Sequence, residues 1–333
     1  MTVSISGSLG VTFPDSSLQT GAASPYVTKN RLVNGSFAID QRNAGASQTF
    51  TAAAAVAYTV DRWYGSCTGA NITGQRVAGT SPNQYAYKFT GAASNTGTLF
   101  GQRIESFNTY DLISTTVTGS VTLKSSSITS VTWTAYYANS SDTFSSKTQI
   151  ATGTLTINST ATRYSFSFDA GANAGNGIAI EFTTGALTAT NTLQYENAQL
   201  EIGTSATPFE RRLYNQELAN CQRYYYRATG ANNNYLGTSG QVYSSTGAVI
   251  VTSFPVTMRI SPSALEQTGT ASNYKLAVST SGLAACTSVP TFVNSSGINA
   301  LSIFTCSTLS GTAGQATNGG TDGTGYLGWS AEL

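Results

Sequence analysis

Histidine is absent from the 333 residues, which removes every mechanism that uses imidazole as a general base or metal ligand, Ser-His-Asp and HExxH arrangements among them. Charge is the next scarcity. Asp, Glu, Lys and Arg make up 9% of the chain, against about a quarter of an ordinary soluble protein, so hydroxyls and amides must solvate the surface. The 16 basic and 15 acidic residues leave a formal charge of +1, no footprint for nucleic acid or an anionic membrane. No apolar run approaches the roughly 18 residues of a membrane span. The opening MTVSISGSLG has neither the basic nor the apolar region of a signal peptide, so synthesis in the cytoplasm is expected. Cys67, Cys221, Cys286 and Cys306 show no CxxC spacing, which disfavours zinc and redox chemistry and reads as small buried hydrophobes. No GxxxxGK[ST] phosphate loop occurs. Neither cofactor nor metal is expected.

What is present is small, polar and aromatic: 33 glycines, 18 tyrosines and an excess of Ser, Thr, Asn and Ala. This composition disfavours helices and suits short strands joined by turns, so the class is all-β. Tyr85, Tyr87 and Phe89 alternate with other residues, as do Tyr164, Phe166 and Phe168, and Ile178, Ile180 and Phe182; each set turns one apolar face inward. Short alternating strands separated by Gly, Asn and Ser clusters indicate a sandwich. The length exceeds a single core, and the pattern divides into an N-terminal arm (1–29), a jelly-roll-like β-sandwich (30–210), a linking α-helix (211–227) and a second, C-terminal β-sandwich (228–333). In the last, Met258 and Ile260 are among the residues expected in strands.

The helix rests on Tyr214, Leu218, Cys221 and Tyr225, an apolar stripe at spacings of four, three and four, expected to pack between domains or against another subunit. The run Tyr224-Tyr225-Tyr226 resembles a sugar-stacking platform, but consecutive residues of a helix point in three directions, which favours packing. Glycan recognition needs a flat aromatic face and directed hydrogen bonds from amides and hydroxyls. Tyr64, Tyr136, Tyr137 and Tyr235 stand beside turns and are the candidates, whereas Trp63 and Trp133 suit core anchors. Two carboxylates suffice for glycoside hydrolysis, and Asp61 with Glu105, or Glu181 with Glu196, are the imaginable pairs. Nothing in the sequence places either pair together, so a non-enzymatic binding role is the expectation. Asp61-Arg62 reads as a salt-linked corner of the sandwich.

Three motifs carry a family resemblance. Gly10 to Ala23 matches an FPDGT-x-Q-T-x-A segment at Phe13, Pro14, Asp15, Gln19 and Ala22, with Ser16 and Ser17 in place of Gly-Thr. Asn34, Gly35, Phe37, Gln41, Arg42, Asp61, Arg62 and Trp63 match NGSF-x-I-x-QR followed by DRW, and Gln199 to Glu210 match QLE-x-G-x-x-ATPFE. Phe254, Pro255, Met258, Arg259 and Pro262 match FPV-x-MR-x-x-P, and GWSAEL closes the chain. In this combination the chain resembles bacteriophage tail-fibre and virion fibre structural proteins. The resemblance implies a homotrimer made in the host cytoplasm and carried on the virion. Residues 1–29 would attach it to another virion protein, with Val11, Phe13, Pro14 and Gln19 at the attachment or oligomer contact. As a tail fibre it would recognise a host-surface glycan; as a capsid head fibre or decoration protein it would bind the shell. The passage from arm to globule without a shaft is the feature that keeps the second reading open.

Overall fold

The structure, a computed structural model, describes residues 28–230, 234–236, 238–278, 283–307, 309 and 311–333, with the backbone of three short strands before them. Those strands, β1 (Ser4–Ser6), β2 (Gly10–Thr12) and β3 (Leu18–Gln19), pair in that order as an antiparallel sheet. Val11 lies opposite Gln19 in its register. Phe13 and Pro14 fall outside the described residues.

The N-terminal module contains β4 (Gln48–Phe50), β5 (Ala57–Tyr58), β6 (Trp63–Thr68), β7 (Ile72–Ala78), β8 (Tyr85–Thr90) and β9 (Gly97–Ile104). It continues with β10 (Thr116–Ser125), β11 (Ser130–Ser140), β12 (Thr143–Thr156), β13 (Thr162–Asp169), β14 (Ile178–Thr184) and β15 (Thr192–Ile202). These form two six-stranded sheets, ordered β13-β10-β15-β8-β7-β4 and β12-β11-β14-β9-β6-β5, as the jelly-roll expectation requires. The alternation explains the layering. Phe166 and Phe168 of β13 are buried while Ser165, Ser167 and Asp169 are exposed. Between the sheets Trp63 stacks on Phe100 with centroids 4.9 Å apart, Tyr87 stacks on the same ring at 4.9 Å, and Trp133 stacks on Phe166 at 4.2 Å. Trp63 and Trp133 are the expected core anchors.

The one α-helix among the described residues, α1 (Tyr214–Gln222), is shorter than the expected 211–227. Its C-terminal end gives way to β16 (Tyr225–Thr229), so Tyr225 is a strand residue paired with Ser330 and not the last member of a helical stripe. Consecutive Tyr-Tyr-Arg-Ala-Thr has strand propensity, and a ready partner strand decides the competition. The apolar stripe fails as well: Tyr214 is 62% exposed and Leu218 half-buried, while the buried positions are Glu217 and Cys221. What seats the helix is a carboxylate. Glu217 accepts the Asn34 backbone N–H and a 3.1 Å bond from the Arg212 guanidinium.

The C-terminal module adds β17 (Asn234–Tyr235), β18 (Thr238–Ser244), β19 (Gly247–Ser253), β20 (Glu266–Gln267), β21 (Tyr274–Val278), β22 (Leu283–Ser295), β23 (Asn299–Cys306), β24 (Ala316–Thr321) and β25 (Tyr326–Ser330). Its large sheet runs β17-β24-β18-β19-β23-β22-β21, and β21 pairs back onto β24, so it closes into a barrel. A smaller sheet, β16-β25-β20, carries Trp329 into the same core. Met258 and Ile260 lie in an irregular connection instead of a strand. Pro255 and Pro262 bracket it, and proline lacks the N–H that a ladder needs. Met258 is nevertheless buried and Ile260 exposed.

Candidate functional site

The motif residues between Asn34 and Trp63 build a joint between the two modules. Asn34 sits in the left-handed region (φ 56°), which asparagine tolerates, and its amide ties the turn by donating to the Ile39 and Asp61 carbonyls at 2.8 and 3.0 Å. That turn aims Gln41, Arg42, Asp61 and Arg62 at the C-terminal module. Arg62 is 1% exposed; its guanidinium donates to the Glu332 carboxylate and to the Arg103 carbonyl, and lies 3.5 Å above the Tyr224 ring. Arg42 lies 3.6 Å over Tyr225 and pairs with Glu266 at 3.2 Å and Glu332 at 3.6 Å. Arg227 lies 3.5 Å over Tyr326 and donates to the Gln41 and Arg42 carbonyls. Burial, the largest single influence, disfavours the Arg62 charge, but Glu332, Tyr224, Tyr58 and Cys221 together more than offset it and hold its pKa above the ordinary value. The expected Asp61-Arg62 salt link is replaced by this cross-module pairing.

Asp61 is buried, accepting from the Gln41 backbone N–H at 2.9 Å and from the Gln41 side-chain amide. Burial pushes its pKa up to about 7, against the lowering effect of the Gln41 bonds and Arg42. A raised carboxylate pKa means that the folded protein holds a proton the unfolded chain releases. The associated stability is therefore complete below about pH 4 and is lost as pH rises to about 7, at about 1.4 kcal/mol per pH unit within the window. Asp61→Asn is expected to gain stability relative to wild type across that interval, by about 4 kcal/mol in total. Urea unfolding at several pH values measures the difference; a pH-independent difference contradicts the assignment.

A groove opens beside the joint, where β9 ends in two 3₁₀ turns, Ser106–Asn108 and Tyr110–Leu112. Leu112 is buried and anchors the turns, leaving Phe107 and Tyr110 85% and 72% exposed. Two adjoining depressions, of about 550 and 610 Å³, share Arg31, Phe107 and Asn108. The far wall is α1 with Gln216 and Asn220, and the floor includes Glu105, Arg223 and Tyr224. Arg223 grips Glu105 through bonds of 3.1 and 3.2 Å, and Arg31 pairs with Asp111 at 2.5 Å. The groove thus offers two open aromatic faces, several amides and ion-paired carboxylates. Such a set stacks on a flat ligand and hydrogen-bonds its hydroxyls.

The aromatic residues expected from the sequence are placed differently. Tyr64 is buried, its hydroxyl bonded to Glu181 at 2.8 Å and its ring beneath Arg103, so it presents no face to a ligand. Burial, with Glu181 beside it, pushes that hydroxyl well above the ordinary phenol range. Tyr136 is joined to the same group, with Lys147 Nζ at 4.1 Å from its ring centroid and Lys147 paired to Glu181. Tyr137 is half-buried, and Tyr235 is 55% exposed on the other module. The alternation pattern does not single out Phe107 and Tyr110; the sequence signal for them is two aromatics within SFNTYD, off that pattern and among turn residues. The imagined carboxylate pairs are each engaged elsewhere: Asp61 by Gln41, Glu105 by Arg223, Glu181 by Tyr64 and Lys147, and Glu196 by Thr80, Asn83 and Gln194. Among the described residues no cluster of three or more acidic or cysteine ligands gathers for a metal, and no helix is long and apolar enough to cross a membrane.

No family model matches the sequence, and no curated protein matches it. Solved structures give partial likenesses. A family 11 carbohydrate-binding module from Clostridium thermocellum in complex with a β-1,3-1,4-mixed-linked tetrasaccharide is 14% identical, with a TM-score of 0.32, covering 50% of this chain and 100% of that one. The module TmCBM61 in complex with β-1,4-galactotriose is 11% identical, with a TM-score of 0.35, over 53% of this chain and 100% of that one. The enzymatically active domain of tailspike protein 4 of bacteriophage CBA120 is 12% identical, with a TM-score of 0.32, over 52% of this chain and 21% of that one. At such identities and scores, what those proteins bind does not transfer to this chain.

Proposed function

We propose that the chain is a non-enzymatic phage virion fibre protein, homotrimeric and attached through its N-terminal arm, that recognises a host-surface glycan in the groove beside α1. The observation that carries the binding role is the pair of open rings, Phe107 and Tyr110, set among Asn108, Gln216 and Asn220. Exposed aromatics of this size in one place mark an interaction surface. The virion assignment is supported by the motif resemblance, whose residues Gln41, Arg42, Asp61 and Arg62 hold the two modules together. Leu213 and Tyr214, exposed at 79% and 62% on the rim of α1, are the surface offered to a neighbouring subunit.

Glycan-array binding by the full chain tests the groove. Wild type is expected to bind, and the double variant Phe107→Ala, Tyr110→Ala to lose at least about tenfold in affinity, each ring contributing about 1 kcal/mol or more. Its melting temperature should hardly move, because both side chains face solvent. Equal binding by the variant, or no signal from folded wild type, contradicts the reading. A capsid location is the second reading, supported by the passage from arm to globule without a shaft. Antibody labelling of virions separates the two, since density over the head removes the tail assignment.

A further inference from the structure

Cys286 and Cys306 face each other across β22 and β23, in direct register and with their Sγ atoms 3.5 Å apart. Both are nearly covered, at 5% and 1% exposure, and both belong to the barrel core. The Cys306 N–H donates to Thr246 on the opposite side, at 2.7 Å, so the backbone polar groups of Cys306 point away from β22. That makes the two cysteines a non-hydrogen-bonded antiparallel pair, whose Cα atoms stand about 4.5 Å apart. A disulfide spans Cα separations of about 4.4–6.8 Å, so closing it asks for side-chain rotation and not strand movement.

We propose that Cys286 and Cys306 are a disulfide-forming pair, oxidised by a low-molecular-weight disulfide once the protein leaves a reducing compartment. Contact with the Cys286 sulfur, 3.5 Å away, favours the Cys306 thiolate and lowers its pKa, so Cys306 is taken as the attacking sulfur. Cys306 thiolate attacks the oxidant disulfide, forming a mixed disulfide and releasing one thiolate. Cys286 then gives up its proton, attacks the Cys306 sulfur and displaces the second thiol. Two protein thiols and one small disulfide become one protein disulfide and two small thiols. The bond staples β22 to β23 within the closed barrel, and redox chemistry, disfavoured by the lack of CxxC spacing, enters through register instead.

Cys67 and Cys221 are internal controls: both are buried, and Cys67 Sγ donates to the Phe50 carbonyl at 3.3 Å. In the experiment, reduced full-length chain freed of reductant is incubated with 2-hydroxyethyl disulfide without denaturant, then mapped by mass spectrometry of unreduced peptides. The expected result is a peptide joining Cys286 to Cys306, with Cys67 and Cys221 still open to alkylation after denaturation. The melting temperature of oxidised wild type should rise by several degrees and fall back on reduction, a cycle absent from Cys286→Ser. Mixed disulfides without the cross-link, or a cross-link that forms only in denaturant, would overturn the proposal. The wild-type map decides the matter even if the serine variant does not fold.

Discussion

Replacing Arg62 by alanine is expected to destabilise the protein by about 3–5 kcal/mol, the usual consequence of removing one partner from a buried ion pair. Arg62 is 1% exposed and the Glu332 side chain 4%, so the carboxylate left behind has little water to solvate it. Arg42, 3.6 Å from Glu332, softens the loss without supplying a direct bond to the same oxygen. Lysine should rescue poorly. The guanidinium serves Glu332, the Arg103 carbonyl and the Tyr224 face together, which a single ammonium on a flexible stem does not reproduce. Arg62→Met with Glu332→Gln should recover part of the stability, because it removes both charges while keeping bulk. Denaturant unfolding of the three variants measures this. A loss near zero for Arg62→Ala would mean that the joint contributes nothing to holding the modules.

Gly35→Ala is the second large effect. A methyl group at Gly35 would lie 2.0 Å from the Ala198 carbonyl oxygen, and the backbone already passes a 2.9 Å hydrogen bond from Ala198 N–H to the Gly35 carbonyl. The contact is backbone on backbone, so no side chain can swing aside. The turn must leave β15, taking with it the Asn34 N–H that Glu217 accepts and the aim of Gln41 and Arg42. We expect a loss of about 3 kcal/mol or more, at the upper end of overpacking effects, in equilibrium unfolding. The groove should also weaken, since α1 is seated through the same Asn34. A variant with wild-type stability would show that the turn relaxes freely.

Much of the fold is legible in the sequence. Phe166 and Phe168, or Ile178, Ile180 and Phe182, announce strands by alternation, and the scarcity of Glu, Lys and Arg announces how little helix to expect. The helix limits were not legible, because Tyr225 fits a helical stripe as well as a strand, and only its partner Ser330, far along the chain, decides. The joint hid for a related reason. Asp61 and Arg62 are neighbours, so a local salt link was the economical reading, whereas Arg62 pairs with Glu332 on the other module. Composition also misleads about tyrosine: Tyr64 beside a turn reads as exposed, yet its strand position faces Glu181 beneath a cover of Arg103. Phe107 and Tyr110 became visible only once the turns after β9 left them uncovered. The cysteine pair needed register, which spacing in the chain does not contain.

The proposed contact of a glycan with Phe107 and Tyr110 is tested by a structure of the full chain with bound oligosaccharide, the tightest found on the array. A sugar ring is expected to stack on one or both of these side chains, with hydroxyls in reach of Asn108, Gln216 or Asn220. A ligand seated instead on Tyr235 or beside Tyr136, with the groove empty, would contradict it.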